Sequence, residues 1–359
     1  MSIPATAGAI QREAPRRFHL LDPLRGVAAL AVVLYHCVGT HPHVSDGLLG
    51  RVLLQGWAGV FIFFPISGYC IAAATQGSHW HGLRSFVARR WRRIYPPYLA
   101  SIIFAIAVGF AALPFSRGSA SSFYLPAAGW ASILTLTQVF TQFDGRINPV
   151  YWSLCYEEQF YIVMALSLMF AGARARAAYL VAVTVAAIAL NLSGWAVPGL
   201  FTGFWVPFAA GIGVYYSVGE QMDRRIGALL LALCVISAAV LPTTGTFVSL
   251  FGALVMLALA PFDGWFARHA SRAWLRPLFV LGLVSYSLYL IHVPVGGRVL
   301  NLLTRVDAPV WLCAIAGAVS SVLCARLFFK WIERPFLNPR PSALQAAQDR
   351  RPLVIAAAS

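Results

Sequence analysis

The sequence predicts an all-α, polytopic membrane protein, a bundle of about ten transmembrane helices plus a re-entrant or interfacial helix. Of the 359 residues, 59% are hydrophobic and 11% are charged, whereas soluble domains carry about 25% charged residues. The hydrophobic residues form runs of about 20 residues, the length that a helix needs to cross a bilayer. The arginines cluster between these runs. The net charge of +15 therefore indicates membrane topology rather than a surface that binds nucleic acid.

Ten apolar segments are predicted to span the membrane. In chain order they are residues 20–40, 52–75, 95–115, 150–170, 178–195, 199–218, 226–242, 246–262, 277–296 and 309–331. Alternate connecting segments are rich in arginine, which places them and both termini in the cytoplasm and the protein in the inner (cytoplasmic) membrane. An eleventh span at 128–143 would reverse the membrane orientation of the second half of the chain, so this segment is predicted to be re-entrant or interfacial. Residues 1–19 and 337–359 are predicted to be cytoplasmic tails of a transmembrane domain at 20–336.

The first predicted span contains three ionisable side chains, Asp22, Arg25 and His36, in an otherwise apolar helix. Such groups cost at least a few kcal/mol in a membrane and therefore indicate function. Arg25 and His36 are eleven residues apart, almost three helical turns, so they lie on one face about 16 Å from each other. Asp22 precedes Arg25 by one turn and can pair with it. In the alternative interpretation, Asp22 and Arg25 are interfacial anchors and His36 is a packing residue.

An arginine cluster at residues 86–98 continues directly into the third span. Arg90 and Arg93 are one helical turn apart, and guanidinium groups bind phosphate through paired hydrogen bonds. This spacing predicts a phosphate clamp. The alternative is a retention charge beside a belt of interfacial aromatic residues.

Two adjacent carboxylates, Glu157 and Glu158, occur near the start of the fourth span. They point in different directions on a helix, so at most one can share a cavity with His36. A carboxylate beside a histidine fixes its tautomer and stabilises the imidazolium. The alternative is an interfacial pair of glutamates held by Trp152 and Tyr156.

The ninth span contains a second histidine, His292, together with Ser285 and Tyr286. The predicted topology places His36, Glu157 and His292 in the outer half of the bilayer and the arginines of the first and third spans in the inner half. This polarity predicts a cavity that receives an anionic group from inside and transfers protons near the outside. In the alternative interpretation, His292 is an interfacial histidine capped by a following proline.

Five ordered motifs, spread over nearly the whole chain, resemble the acyltransferase 3 family of integral membrane O-acyltransferases. They are an arginine and a histidine with ten residues between them (Arg25, His36), an arginine pair followed by Ile-x-Pro (Arg90, Arg93, Ile94, Pro96), the block Trp152 to Tyr161, the block Gly282 to Pro294, and Ile-Glu-x-Pro-Phe at Ile332 to Phe336. One departure is Pro65, where the family usually has an aliphatic residue, and we expect the second span to bend there. The soluble extension that some members carry is not expected in this sequence.

The resemblance implies transfer of an acyl group, commonly acetyl, from cytoplasmic acyl-CoA to a hydroxyl of a sugar or lipid-linked glycan across the membrane. It implies His36 as general base with Arg25 and Glu157 as catalytic partners, and Arg25, Arg90 and Arg93 as ligands of the donor phosphates. The residues expected to contact the acceptor or support the site are Asp22, Trp152, Ser153, Glu158, Tyr161, Ser285, Tyr286, His292 and Glu333. Acyl-CoA is expected as a cosubstrate, with no permanently bound cofactor and no metal.

Several alternatives remain at this point. The transfer could be direct or pass through an acyl-histidine, and the acceptor could be a small molecule or macrolide on the cytoplasmic side. A proton-coupled transporter of small anions is disfavoured because the sequence lacks paired inverted repeats, and a structural protein would leave the buried ionisable groups unexplained. The six cysteines, which lack metal-binding spacing, are interpreted as small buried hydrophobes. The sequence does not indicate the oligomeric state.

Overall fold

The computed structural model describes residues 18–75, 82–115, 123–219 and 223–337. These ranges contain α-helices joined by short turns and no β-strand. The α-helices are α1 Leu21–Val38, α2 Leu48–Leu54, α3 Gly59–Thr75, α4 Leu83–Ala112, α5 Ala127–Leu134, α6 Trp152–Ser167, α7 Ala173–Leu192, α8 Trp205–Val218, α9 Arg224–Val240, α10 Thr244–Leu259, α11 Asp263–His269, α12 Arg276–Leu283, α13 Ser285–Leu303 and α14 Val310–Phe328. The predicted tails at 1–19 and 337–359 lie almost entirely outside the described residues.

The chain is a multi-pass membrane protein, because several of its helices are long and apolar enough to cross a bilayer. Within the described ranges three of these are the single helices Leu21–Val38, Leu83–Ala112 and Ala173–Leu192. The other three join consecutive helical segments and are Leu48–Thr75, Thr244–His269 and Val310–Phe336. Helices also occupy the other predicted spans, but α6, α8 and α9 contain only 16, 14 and 17 residues. A straight crossing takes about 20 residues. The all-α membrane fold is therefore confirmed, whereas the number of ten spans stays a prediction.

The predicted ninth span is not one continuous helix, which corrects the sequence interpretation. Helices α12 and α13 meet at an angle of 79°, with Val284 between them. The first turn of any helix has backbone N–H groups without an intrahelical partner. In α13 the carboxylate of Glu333 accepts a hydrogen bond from the backbone N–H of Ser287 at 3.1 Å. Glu333 thereby caps the new helix start and stabilises the break.

The segment predicted to be re-entrant or interfacial, residues 128–143, contains helix α5 and a short 3₁₀ turn at Gln138–Phe140. Eight helical residues extend only about 12 Å, which is too short to cross the membrane. The side of the membrane on which α5 lies stays a prediction.

Helices α3, α4 and α13 continue through internal prolines, and in α3 and α13 a side chain from elsewhere replaces the lost hydrogen bond. Proline has no backbone N–H, so the carbonyl four residues earlier loses its helical partner. In α3 Pro65 frees the carbonyl of Phe61, which accepts a hydrogen bond from the hydroxyl of Ser249 at 2.8 Å. In α13 Pro294 frees the carbonyl of Leu290, which accepts from the amide of Asn148 at 2.9 Å. The second bond ties the segment before α6 to α13.

Helix α1 lies in the centre of the site region and packs against α3, α12, α13 and α14. Its crossing with α12 is very close, since a Cβ atom on Gly282 would lie 1.9 Å from the carbonyl oxygen of Asp22, and one on Gly26 would lie 2.3 Å from that of Leu278. Only glycine permits this approach. The crossing places Asp22 and Arg25 beside the break between α12 and α13.

Candidate functional site

A cavity of about 470 Å³ lies between α1, α3, α4, α6, α13 and the end of α14. Its volume is within the usual range of ligand pockets, which is about 300–1,000 Å³. Its polar and charged lining residues are Asp22, Arg25, Ser67, Cys70, Arg89, Arg90, Arg93, Ser153, Glu157, Tyr161, Ser285, Tyr286, Tyr289 and Glu333. Most of the predicted site residues therefore face one cavity. Four of them, His36, Trp152, Glu158 and His292, are not part of its lining.

Four arginines line the cavity, Arg25 of α1 and Arg89, Arg90 and Arg93 of α4, and we call this part the arginine end. Arg25 donates a hydrogen bond from Nη2 to Sγ of Cys70 at 3.2 Å and interacts electrostatically with Asp22. The Nε atom of Arg90 is buried without a hydrogen-bond partner in the described part of the chain. The arginine end therefore combines positive charge with a free N–H donor, which suits an anionic ligand.

Glu157 belongs to the arginine end of the cavity. Its Oε1 atom accepts hydrogen bonds from the hydroxyl of Ser67 at 2.9 Å and from the hydroxyl of Tyr161. It also interacts electrostatically with Arg25 and Arg90. Glu157 also interacts electrostatically with Tyr289, whose ring centre is 5.9 Å from that of His292, so its expected grouping with His36 and His292 stays a prediction.

Glu333 is almost completely buried, with 1% of its surface exposed. Besides the backbone N–H of Ser287, it accepts a hydrogen bond from the hydroxyl of the same residue at 2.5 Å. It interacts electrostatically with Arg93 and Arg25. A π-helical turn at residues 329–333 places it there, and such turns are frequent at functional sites. Glu333 therefore both caps α13 and balances the charge of the arginine end.

The cavity lining also includes Tyr289, and two histidines lie close to its ring. The hydroxyl of Tyr289 donates to the carbonyl of Val150 at 2.7 Å and lies 2.6 Å from the hydroxyl of Ser153. The ring centre of Tyr289 is 5.9 Å from that of His292, which is 5.0 Å from that of His36. His292 is fully buried and His36 is half-buried. We call Tyr289, His292 and His36 the histidine end.

Two predicted site residues point away from the cavity. The ring of Trp152 packs in an aromatic cluster with Phe64 and Phe204, at centroid distances of 6.4 and 5.4 Å. Glu158 interacts with Tyr95, and its Oε1 atom is buried without a hydrogen-bond partner among the described residues. Glu157 lines the cavity and Glu158 does not, as predicted from the different directions in which adjacent residues of a helix point.

Ser67 and Cys70 line the cavity but are not among the predicted site residues. Cys70 is not only the small buried hydrophobe that the sequence predicts, because it accepts a hydrogen bond from Arg25. The two residues are one turn apart on α3, so a polar pair on one face of an apolar span was the available signal. Among the described residues, no group of three or more His, Cys, Asp or Glu side chains could hold a metal ion.

Comparison with known proteins gives one family match and several curated relatives. The model of a family described as an acyltransferase domain matches residues 18–330. The O-acetyltransferase OatA of Staphylococcus aureus is 24% identical over 370 residues, which cover 89% of this chain and 57% of that protein. The putative peptidoglycan O-acetyltransferase YrhL of Bacillus subtilis is 26% identical, with coverages of 88% and 54%. The peptidoglycan O-acetyltransferase OatA of Listeria monocytogenes is 25% identical, with coverages of 88% and 55%.

The chain thus spans little more than half the length of these curated relatives. No solved structure matches it.

Proposed function

Because the chain belongs to the acyltransferase 3 family, we propose that it is a membrane O-acetyltransferase that modifies a cell-envelope glycan. The observation that carries this proposal is one cavity lined by four arginines and by Tyr289, whose ring is close to those of two histidines. The names of the relatives support the acceptor class, since two of the three are peptidoglycan O-acetyltransferases, one of them putative.

The proposed donor is acetyl-CoA, a cosubstrate whose phosphates bind at the arginine end. Arg90 and Arg93 would contact the phosphates, and the unpartnered Nε of Arg90 supplies a free donor. The thin pantetheine arm would extend along the cavity past Arg25 and Ser67 toward Tyr289. Arg25 and His36 are about 16 Å apart on one face of α1, so the thioester would reach the histidine end.

The proposed reaction is direct transfer with His36 as general base. His36 takes the proton from the acceptor hydroxyl while the oxygen attacks the thioester carbonyl carbon. The carbon–sulfur bond then breaks, the acetyl ester forms, and the proton on His36 passes to the CoA thiolate. Acetyl-CoA and the alcohol thus become the ester and free CoA.

The proposed location is the cytoplasmic membrane, with the arginine end facing the cytoplasm and the histidine end facing outward. The arginine-rich segments 84–93, 268–276 and 334–351 support this orientation. A glycan on the outer face could then reach His36 without crossing the bilayer.

The test uses the purified protein in lipid nanodiscs with acetyl-CoA and soluble peptidoglycan fragments. Released CoA is measured with a thiol reagent, and acetylated fragments are measured by mass spectrometry. We expect His36→Ala to lower the rate by about 10²- to 10⁴-fold, the usual contribution of a general base. The matched control is His43→Ala, since His43 is 74% exposed and outside the cavity. Near-wild-type turnover of His36→Ala would overturn the mechanism, and acetylation of small hydroxyl compounds in place of glycan would overturn the acceptor class.

A further inference from the structure

The hydrogen bonds of His292 define its tautomer. Its Nδ1 atom lies 3.0 Å from the carbonyl oxygen of Leu288 and 2.8 Å from that of Tyr289. A carbonyl oxygen can only accept, so Nδ1 carries the hydrogen. A neutral imidazole has one N–H, so Nε2 carries a lone pair and must act as an acceptor.

This Nε2 atom is a buried acceptor without a donor in the described part of the chain. His292 is 0% exposed, and buried polar atoms in folded proteins are nearly always hydrogen-bonded. The neighbouring imidazole is that of His36, with ring centres 5.0 Å apart and ring planes inclined by 58°. Two imidazoles that share an N–H···N bond of about 2.9 Å have ring centres about 5 Å apart. His36 is therefore at the distance from which a small ring rotation supplies the missing donor.

We propose that His292 is a positioning residue, whose Nε2 atom accepts a hydrogen bond from a ring N–H of His36. The proposal rests on the proposed function, in which His36 is the general base. With one His36 nitrogen held as a donor, the other is left unprotonated and directed at the acceptor hydroxyl. When His36 takes the hydroxyl proton, its N–H to His292 stays in place, and the proton leaves from the same His36 nitrogen to the thiolate.

The position of Glu157 explains why this role falls to a histidine. A base histidine is usually oriented by a carboxylate on its second nitrogen. Here Glu157 is hydrogen-bonded to Ser67 and Tyr161 at the arginine end. His292 is held in one orientation by two backbone carbonyls, so it provides a fixed acceptor without adding charge beside the thioester.

Two nearly isosteric substitutions separate positioning from packing. His292→Asn keeps an amide N–H near the two carbonyls but has no atom at the Nε2 position. His292→Gln places an amide oxygen near the Nε2 position. We expect His292→Asn to lower kcat by about 10- to 100-fold, the loss typical of outer-shell groups that orient metal-binding side chains, with the KM for acetyl-CoA unchanged. His292→Gln should recover most of the lost kcat.

The double variant with His36→Ala and His292→Asn distinguishes a positioning role of His292 from a packing role. If His292 acts through His36, adding His292→Asn to His36→Ala should cause no further loss of the residual rate. Binding of CoA and thermal unfolding of each variant serve as folding controls, and His292→Leu replaces His292→Asn if the latter does not fold. Wild-type kcat in His292→Asn, equal loss in the Asn and Gln variants, or further loss in the double variant would each overturn the proposal. An active His36→Ala would instead overturn the proposed mechanism, in which His36 is the general base, and no acetyl transfer by the wild type would overturn the proposed function.

Discussion

Substituting Arg90 by alanine should weaken CoA binding while leaving the binding of pantetheine, which lacks phosphates, unchanged. Arg90 lines the arginine end of the cavity, and its Nε atom has no protein partner within the described residues. A hydrogen bond to a charged group contributes about 1.5–3 kcal/mol. Since about 1.4 kcal/mol corresponds to a factor of ten, we expect the Kd for CoA to rise about 10- to 150-fold. Arg90→Lys should recover part of this loss, because lysine keeps the charge but not the planar pair of donors.

The matched control for Arg90→Ala is Arg92→Ala. Arg92 is on the same helix and carries the same charge, but it is exposed and lies beside Trp91 and Val87 on a different surface. Equilibrium binding of CoA and of pantetheine is measured for wild type and both variants in nanodiscs. Equal weakening of CoA binding by the two alanine variants would show that general positive charge, rather than a clamp, attracts the donor. Equal weakening of pantetheine and CoA by Arg90→Ala would show that the residue does not bind phosphate.

Three further predictions test the scaffold and its orientation. Glu333→Gln should lower the free energy of unfolding by about 1–3 kcal/mol, the usual cost of an impaired buried hydrogen bond; an unchanged thermal unfolding curve would contradict the capping role. Gly282→Ala should abolish CoA binding because its Cβ would lie 1.9 Å from a carbonyl oxygen of α1, whereas Gly297→Ala, with nothing within 4 Å, should bind normally. Ser45→Cys should react with an impermeant thiol reagent on intact cells, whereas Ser271→Cys should react only after permeabilisation. Mass spectrometry of the peptides identifies the labelled cysteine. The reverse pattern would place the histidine end on the cytoplasmic side.

Relations within one helix could be predicted from the sequence. The spacing of Arg25 and His36 along α1 and of Arg90 and Arg93 along α4 follows from the helical repeat. Arg90 and Arg93 do line the same cavity. The separation of Glu157 from Glu158 also followed from helical geometry. The all-α fold class followed from hydropathy alone, because apolar runs of this length have few other stable structures in a membrane.

Relations between helices could not be predicted in this way. Depth in the membrane groups Glu157 with the histidines, but it does not predict the hydrogen bond from Ser67, which depends on how α6 faces α3. Cys70 was assigned to the core by residue type, although the packing of α3 against α1 places it beside Arg25. Depth in the membrane gives the position of a side chain along one axis, whereas a hydrogen bond depends on its position in all three dimensions.

The polar residues at helix irregularities show why a charged or amide side chain in a membrane span does not by itself identify a catalytic group. Pro294 and the break at Val284 each leave a backbone group of α13 without its regular partner. Asn148 binds the carbonyl freed by the proline, and Glu333 caps the helix start after the break. Both residues are therefore accounted for by the backbone of α13. Nε2 of His292, on the same helix, has no hydrogen-bond partner among the described residues, and for that reason it is the atom of this helix to which we assign the positioning of His36.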